Sequence, residues 1–193
     1  MQLDFLSPGE YPPGLFYFPD FISTDEEEFL LQEFRQMELE PFRFHGFEAK
    51  RFVRHFGTSY EFSGKSVEAA PPLPDFLRPF LKKAARALKL PEARIKQILV
   101  THYPVGAPIG WHRDAPPFEH LLGISLGSSC KMKLREMSGM KKIDLYLERR
   151  SAYIMTGIAR WRWEHHIPPA KTERWSLTFR TMVSENLVSD KDL

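Results

Sequence analysis

The second half of the chain consists of short segments that alternate apolar and polar residues, and this pattern restricts the fold more than any other feature. After Pro91 helical periodicity disappears, and Gly, Pro and charged turns separate the segments. The predicted strands are 97–103, 120–126, 130–135, 142–147, 151–156, 161–167 and 174–181. Strands that follow one another without intervening helices favour an antiparallel sandwich or a double-stranded β-helix of the jelly-roll type. We assign 97–182 to this jelly-roll core.

Two helices are predicted in the N-terminal half. Ser23 and Glu26 form a capping box that begins a helix ending near Met37. A second helix with one apolar face is predicted from about Asp75 to Leu88. We expect both to brace the outer face of the jelly roll, which makes the fold α+β but mainly β. Between them, residues 41–65 alternate bases and aromatics and are predicted to form a strand-loop-strand flap on the substrate side.

Length and composition indicate one domain, which we assign to 1–193. A chain of 193 residues with 42% hydrophobic residues is long enough for a single large core. Its single cysteine, Cys130, cannot form an internal disulfide, so a reducing compartment is expected: the cytoplasm, or the nucleus of a eukaryotic cell. No signal sequence and no stretch of about 20 apolar residues is present, so we expect neither secretion nor membrane insertion. We expect a monomer.

Charge is distributed unevenly along the chain. Residues 1–40 contain ten acidic residues and one basic residue, so the net charge of +2 leaves +11 on residues 41–193. A basic body of this size can attract a polyanion such as nucleic acid, because Lys and Arg neutralise phosphates. The alternative is a solvated basic face that binds nothing.

A His-x-Asp motif is the first feature that indicates chemistry. His112 and Asp114 are two residues apart, so on an extended chain both side chains point to the same side. His165 and His166 follow at the end of another predicted strand. Two histidines and one carboxylate form the facial triad of non-haem iron oxygenases, which leaves three coordination positions open. Spacing alone does not choose between the two adjacent histidines.

The last predicted strand, RWSLTFR, places two arginines on one side. Arg174, Ser176 and Arg180 share that side, and Trp175, Leu177 and Phe179 share the other. Such a strand ordinarily exposes its polar side to solvent. Beside a metal site, however, the arginine side can point inward, because buried guanidinium groups bind carboxylates with two hydrogen bonds. By the same alternation, Thr101 and Tyr103 share a side of strand 97–103, and their hydroxyls could complete such a pocket.

Several segments, in this order and spacing, resemble a known family. They are HGFEAKRF (45–52), FGTSY (56–60), THYPVGAPIGWHRD (101–114), GISLG (123–127), RWRWEHHIPP (160–169) and RWSLTFR (174–180). Over about residues 14–182 the chain is similar to the AlkB-type iron(II)- and 2-oxoglutarate-dependent dioxygenases, especially their compact bacterial members. The resemblance implies an enzyme with Fe(II) as its metal, and with 2-oxoglutarate and dioxygen as co-substrates.

The resemblance also implies roles for individual residues. His112, Asp114 and His165 would ligate iron, because the family pattern places the second histidine ligand two residues after a position held here by Trp163. Further residues would form the co-substrate site. Arg174 would bind the distal carboxylate of 2-oxoglutarate with help from Tyr103, Arg180 would lie near the keto-acid end and Asp114, and Thr101 and Ser176 stand where the best-known nucleic-acid demethylases carry Asn.

Three functions remain open at this point. The first is oxidative demethylation of N-alkylated bases in DNA or RNA, with phosphates held by Arg51 and Arg54 of the flap and a base stacked on Tyr60. The second is a dioxygenase acting on a protein or a small molecule, because Pro116 replaces the acidic residue that the best-known demethylases carry there. The third is a metal-binding barrel without catalysis or a zinc hydrolase, which the paired arginines disfavour.

Overall fold

Two facing antiparallel sheets form the body of the protein in the computed structural model, which describes residues 11–44 and 46–183. The ends of the predicted domain, 1–10 and 184–193, and His45 of the flap lie outside the described residues. The strands are β1 (Leu15–Phe18), β2 (Glu40–Phe44), β3 (Phe47–Phe56), β4 (Thr58–Glu61), β5 (Ser66–Ala69), β6 (Ile95–Tyr103), β7 (Ile109–His112), β8 (Phe118–Leu126), β9 (Cys130–Glu136), β10 (Lys142–Leu147), β11 (Ala152–Met155), β12 (Trp163–Ile167) and β13 (Arg174–Met182).

The strand order gives a double-stranded β-helix, as the sequence predicted. The major sheet has seven strands in the order β1-β11-β8-β13-β6-β3-β2, and the minor sheet has four in the order β10-β9-β12-β7. Between the sheets, apolar side chains such as Leu121, Leu134 and Trp163 form one of the two clusters of buried residues. Strands β1, β2 and β3 join the major sheet from outside residues 97–182, so the sheet extends beyond the predicted core.

Helices α1 (Thr24–Arg35) and α2 (Arg78–Leu88) cover the outer face of the major sheet. Their buried residues, including Phe34 and Phe80, share a core cluster with Leu177 and Phe179 of β13. The predicted capping box is present: the backbone N–H of Glu26 donates to Ser23 Oγ at 3.1 Å, and the Glu26 carboxylate accepts from the backbone N–H of Ser23 at 2.9 Å. No helix within the described residues is long and apolar enough to cross a membrane.

Two local predictions agree with the structure only in part. The predicted strand 161–167 begins as a helix, α3 (Gly157–Arg162), and β12 starts only at Trp163. Gly157 at the start of this helix has a positive φ of 50°, and the Arg160 side chain donates to the Phe118 carbonyl oxygen. The flap is more than a strand-loop-strand unit: β2 and β3 form one hairpin on the edge of the major sheet, and β4 and β5 form a second.

Glu27 attaches α1 to the turn between β8 and β9. Its side chain is fully buried, accepts a hydrogen bond from the Gly127 backbone N–H at 2.8 Å and pairs with Arg149 at 2.7 Å. We expect Glu27→Ala to lower the free energy of unfolding by about 2–3 kcal/mol, because the part-buried Gly127 N–H loses its acceptor and Arg149 loses its buried partner. Urea denaturation of this variant and of Glu28→Ala, an exposed glutamate on the same helix, tests this; equal effects would contradict it.

Candidate active site

A cavity of about 400 Å³ opens between the two sheets. The inner face of the major sheet forms one wall, and β7, β12 and the loop after β7 form the other. The flap hairpins border the cavity with aromatic side chains, among them Phe42, Phe47 and Phe62. A volume of this size accommodates a small co-substrate together with one reacting group of a larger substrate.

Three candidate metal ligands meet in this cavity. His112 ends β7, Asp114 follows in the next loop, and His165 lies directly opposite His112 in the register of β12 with β7. Each residue offers one ligand atom, and these atoms lie within 4.8 Å of one another. His165 Nε2 is 3.6 Å from Asp114 Oδ2. The structure therefore brings together two imidazoles and one carboxylate, the donor set of a non-haem iron centre.

Both imidazoles are in the form that binds metals. Burial lowers the pKa of His112 and lowers that of His165 to about 3, so both rings are neutral near pH 7. His112 Nδ1 donates to the Gly110 carbonyl oxygen at 2.8 Å, which leaves its Nε2 lone pair available. Nδ1 of His165 is buried and has no hydrogen-bond partner among the described residues. These residues fit a divalent metal ion.

His166 points away from this cluster. Its Nδ1 is hydrogen-bonded to the Ile109 carbonyl oxygen, and its ring lies 5.2 Å from the indole of Trp111. Neighbouring residues of a strand face opposite sides, so only one of the two histidines can reach the cavity. The geometry thus favours His165, the residue that the resemblance also implied.

Two arginines hold the loop that carries Asp114. Arg180 donates from both Nε, at 2.8 Å, and Nη2 to Asp114 Oδ1, and from Nη1 to Gln97 Oε1 at 2.7 Å. Arg160 is 2% exposed and donates to the carbonyl oxygens of Asp114, Ala115 and Phe118. Burial alone would raise the pKa of Asp114, but Arg180 and the other nearby positive groups hold it well below its usual range. The carboxylate is therefore ionised and fixed in direction.

The arginine side of β13 faces the cavity. The register places Arg174 opposite Tyr103, Ser176 opposite Thr101 and Arg180 opposite Gln97, and all six residues line the wall. Arg174 is 2% exposed and donates from Nη2 to Ser125 Oγ at 3.3 Å. Its Nε and Nη1 are buried without a hydrogen-bond partner among the described residues. A buried guanidinium with unused donors fits a carboxylate ligand.

Hydroxyl groups surround the Arg174 guanidinium. The Tyr103 ring lies 4.8 Å from the Arg174 guanidinium carbon, and its hydroxyl is 3.4 Å from Ser176 Oγ. Thr101 is buried on the same side of β6. These positions agree with those that the strand alternation predicted for the co-substrate pocket.

The two predicted substrate residues lie at the opening of the cavity. Arg51 stacks on the Phe42 ring, with the guanidinium carbon 3.9 Å from the ring centroid, and Tyr60 lies edge-on to Phe62 at 4.9 Å. Arg54 was wrongly grouped with Arg51: alternation along β3 turns it to the opposite side of the sheet, where it pairs in register with the buried Val100.

Sequence reasoning missed three residues of the cavity region. Gln97 lies on the same side of β6 as Thr101 and Tyr103, so the period-two alternation of the strand could have identified it. Arg160 lay between the predicted strands 151–156 and 161–167, and its contacts depend on the α3 helix. Tyr153 lines the cavity from β11, and no local signal marks it because its partner strand is distant in sequence.

Together, the jelly-roll fold, the two-histidine-one-carboxylate cluster and the buried arginine define an iron(II)- and 2-oxoglutarate-dependent dioxygenase. The chain belongs to the 2OG-Fe(II) oxygenase superfamily, whose family model matches residues 14–181. This membership confirms the predicted enzyme class, with Fe(II) and 2-oxoglutarate as cofactor and co-substrate, and it rules out the zinc hydrolase and the non-catalytic barrel.

Similar proteins include members of the AlkB group. The chain is 32% identical over 167 residues to the mouse tRNA (carboxymethyluridine(34)-5-O)-methyltransferase ALKBH8, covering 83% of this chain and 25% of that protein. It is 30% identical over 188 residues to the Arabidopsis thaliana alkylated DNA repair protein ALKBH8 homolog, covering 84% and 53%. The chain thus spans between a quarter and about half the length of these two relatives.

Two solved structures share the fold. The structure of OsALKBH1 matches with a TM-score of 0.74 at 16% identity, covering 93% of this chain and all of the other. A Pseudomonas putida prolyl-4-hydroxylase matches with a TM-score of 0.65, also at 16% identity, covering 88% and 93%. Both likenesses confirm the double-stranded β-helix.

Proposed function

We propose that this dioxygenase acts on N-alkylated bases of DNA or RNA and removes the alkyl group by oxidation. The observation that carries the proposal is the opening of the cavity, where Arg51 and the aromatic residues Phe42, Tyr60 and Phe62 stand together. Aromatic rings stack on bases and a guanidinium binds phosphate, which are the two contacts that a single strand or a flipped nucleotide requires. The names of the relatives, which refer to tRNA and DNA, support it.

The geometry of the cavity supports a role for each of the candidate site residues. His112, Asp114 and His165 would hold Fe(II), Arg174 with Tyr103 would bind the distal carboxylate of 2-oxoglutarate, and Thr101 and Ser176 would border that carboxylate. When bound, iron, 2-oxoglutarate and dioxygen supply oxidation of a substrate C–H bond, coupled to formation of succinate and CO2.

Arg180 is a positioning residue in this scheme. It touches Asp114 and Gln97 and fixes the direction of the Asp114 carboxylate. Arg160 also holds this loop, because it donates from Nη2 to the Asp114 carbonyl oxygen at 3.0 Å. A ligand whose orientation is held in this way needs no rearrangement when the metal arrives.

Succinate formation tests the substrate class. We expect Fe(II)-loaded protein to convert 2-oxoglutarate slowly alone and faster with single-stranded DNA or RNA that carries N-methylated bases. Stimulation by a methylated peptide instead would favour the second candidate, a protein dioxygenase, which exposed Pro116 in place of an acidic residue leaves open. Lack of stimulation by any methylated oligonucleotide would contradict the nucleic-acid proposal and leave the enzyme class intact.

Salt dependence separates the contacts with phosphate from those with the base. Binding of a single strand should weaken with salt with a log–log slope of about −0.7 per neutralised phosphate. Arg51→Ala should make this slope shallower, whereas Tyr60→Ala should cost about 1–3 kcal/mol of stacking and leave it unchanged. Arg54→Ala, on the other side of the sheet, is the matched control for Arg51. Equal slopes in wild type and Arg51→Ala would remove Arg51 from the interface.

We also place the enzyme in the cytoplasm, which its one thiol, the unpaired Cys130, supports. The single-domain assignment and the monomeric state stay predictions.

A further inference from the structure

The outer face of the minor sheet has no role in the proposed function. Strand alternation turns Met132 and Leu134 of β9 and Leu145 of β10 into the core, where all three are buried. The other side of the sheet carries eight residues, which we call the outer minor face: Lys131, Lys133 and Arg135 of β9, Lys142, Asp144 and Tyr146 of β10, and Glu164 and His166 of β12. None of these eight residues is buried, so no described element covers this face.

Positive charge exceeds negative charge on the outer minor face, where four cations stand with two carboxylates. Lys131 pairs with Asp144 at 3.0 Å, and Arg135 pairs with Glu164 at 2.6 Å. Both pairs are partly exposed to solvent, and such pairs contribute little free energy, so a phosphate can compete for these cations. The other two cations form no ion pair among the described residues. The face is therefore complementary in charge to a polyanion.

An exposed aromatic ring lies beside these cations. Tyr146 is 57% exposed and stands directly opposite Lys131 in the register of β10 with β9. Sheets that bind single-stranded nucleic acid present aromatic rings on their surface for stacking with bases and place basic side chains next to them for the phosphates. Tyr146 and Lys131 supply one of each at adjacent positions.

The outer minor face continues from the opening of the cavity. Trp111 lines the cavity on β7, the edge strand of the minor sheet. The Arg135 guanidinium carbon lies 4.4 Å from the centroid of the Trp111 ring, and the His166 ring lies 5.2 Å from it. From Arg135 to Lys131, β9 extends about 13 Å at about 3.3 Å per residue. A strand with one base in the cavity can therefore pass over Trp111 and reach Tyr146.

We infer that the outer minor face binds the single-stranded nucleic acid that flanks the reacting nucleotide. Lys131, Lys133 and Arg135 contact its phosphates, and one of its bases stacks on Tyr146. This inference rests on the proposed function, since it requires the substrate to be a nucleic acid. It adds that the enzyme prefers a strand of several nucleotides to a short fragment around the reacting base.

The length dependence of binding tests the stacking contact. Single strands of about 3 and about 12 nucleotides, each with one N-methylated base, are titrated with the full Mn(II)-loaded chain, and fluorescence anisotropy gives the Kd. Tyr146→Ala should weaken binding of the longer strand about tenfold, because one stacked base is lost, and should leave that of the shorter strand unchanged. Phe16→Ala, an exposed aromatic residue on β1 of the major sheet, is the matched control and should change neither Kd.

The salt dependence of the same titrations tests the phosphate contacts. Lys133→Ala should make the log–log slope for the longer strand shallower by about 0.7, the value for one phosphate contact, and should not change the slope for the shorter strand. Lys82→Ala, an exposed lysine on α2, is the matched control. The thermal midpoint of each variant verifies that the surface substitution leaves the fold intact.

The outcomes distinguish this inference from the proposed function. If wild-type protein binds both strands equally well, or if Tyr146→Ala and Lys133→Ala bind the longer strand as wild type does, the outer minor face is not an interface and the proposed function stands. If these two variants lose affinity for a methylated peptide and not for the longer strand, the face binds protein and the inference is wrong. If wild-type protein binds neither strand at low salt, the nucleic-acid substrate itself is wrong.

Discussion

Replacing His112, Asp114 or His165 with alanine is expected to abolish succinate formation, with losses of at least about 1,000-fold. Each variant removes one of three protein ligands, and a facial site with two ligands cannot retain its metal in a defined geometry. The ligand atoms of the three residues already lie within 4.8 Å of one another, so the triad is assembled in the structure as it stands. Mn(II) binding by calorimetry should fail in the same three variants.

His166→Ala is the matched control for His165→Ala. The two histidines are adjacent; His165 is buried and His166 is half-buried. His166, however, contacts Ile109 and Trp111. We expect this variant to keep Mn(II) binding and most of the activity, with a modest loss of stability. Loss of metal binding in His166→Ala with retention in His165→Ala would overturn the ligand assignment.

Arg174→Lys is expected to raise the apparent KM for 2-oxoglutarate by about 100-fold, the loss associated with breaking a buried hydrogen-bonded charge pair. The guanidinium presents two parallel N–H donors to a carboxylate, whereas an ammonium is a single point charge. Nε and Nη1 of Arg174 have no partner in the described structure, so the guanidinium keeps donors available for a carboxylate.

Two other Arg→Lys variants test whether the effect on the KM is specific to Arg174. Arg162→Lys, an exposed arginine at the end of α3, should leave both kinetic parameters unchanged. Arg180→Lys should lower kcat as well as raise KM, because Arg180 orients the Asp114 carboxylate. An unchanged KM in Arg174→Lys would exclude Arg174 from the co-substrate site.

Residues that share a strand could be predicted from the sequence, because strand alternation is a local property. The period of two put Arg174, Ser176 and Arg180 on one side of β13 and Thr101 with Tyr103 on one side of β6. The choice of the inward side depended on the nearby His-x-Asp motif and on the family resemblance. The capping box of α1 was equally local, and the structure confirms it.

Contacts between strands distant in sequence could not be predicted in the same way. The packing of the Tyr153 ring against Gly123 depends on the pairing of β11 with β8, and nothing near either residue in the sequence predicts that register. The helix α3 was missed because its six residues, GIARWR, are too few to show helical periodicity, and its last two were assigned to the predicted strand 161–167. In the structure, Arg160 of this helix donates to carbonyl oxygens of the loop after β7. Tertiary contacts outweighed local propensity here.

The position of each functional strand in the major sheet divides the enzyme into two regions of different mechanical character. β13, which carries Arg174 and Arg180, has neighbours on both sides, whereas β2 of the flap is the last strand at the edge. Amide hydrogens of β13 should exchange with solvent only on global unfolding, and those of β2 through local fraying. Substitutions in the flap can therefore change which substrate is captured without disturbing the oxidising centre, so one chemistry can be adapted to new targets during evolution.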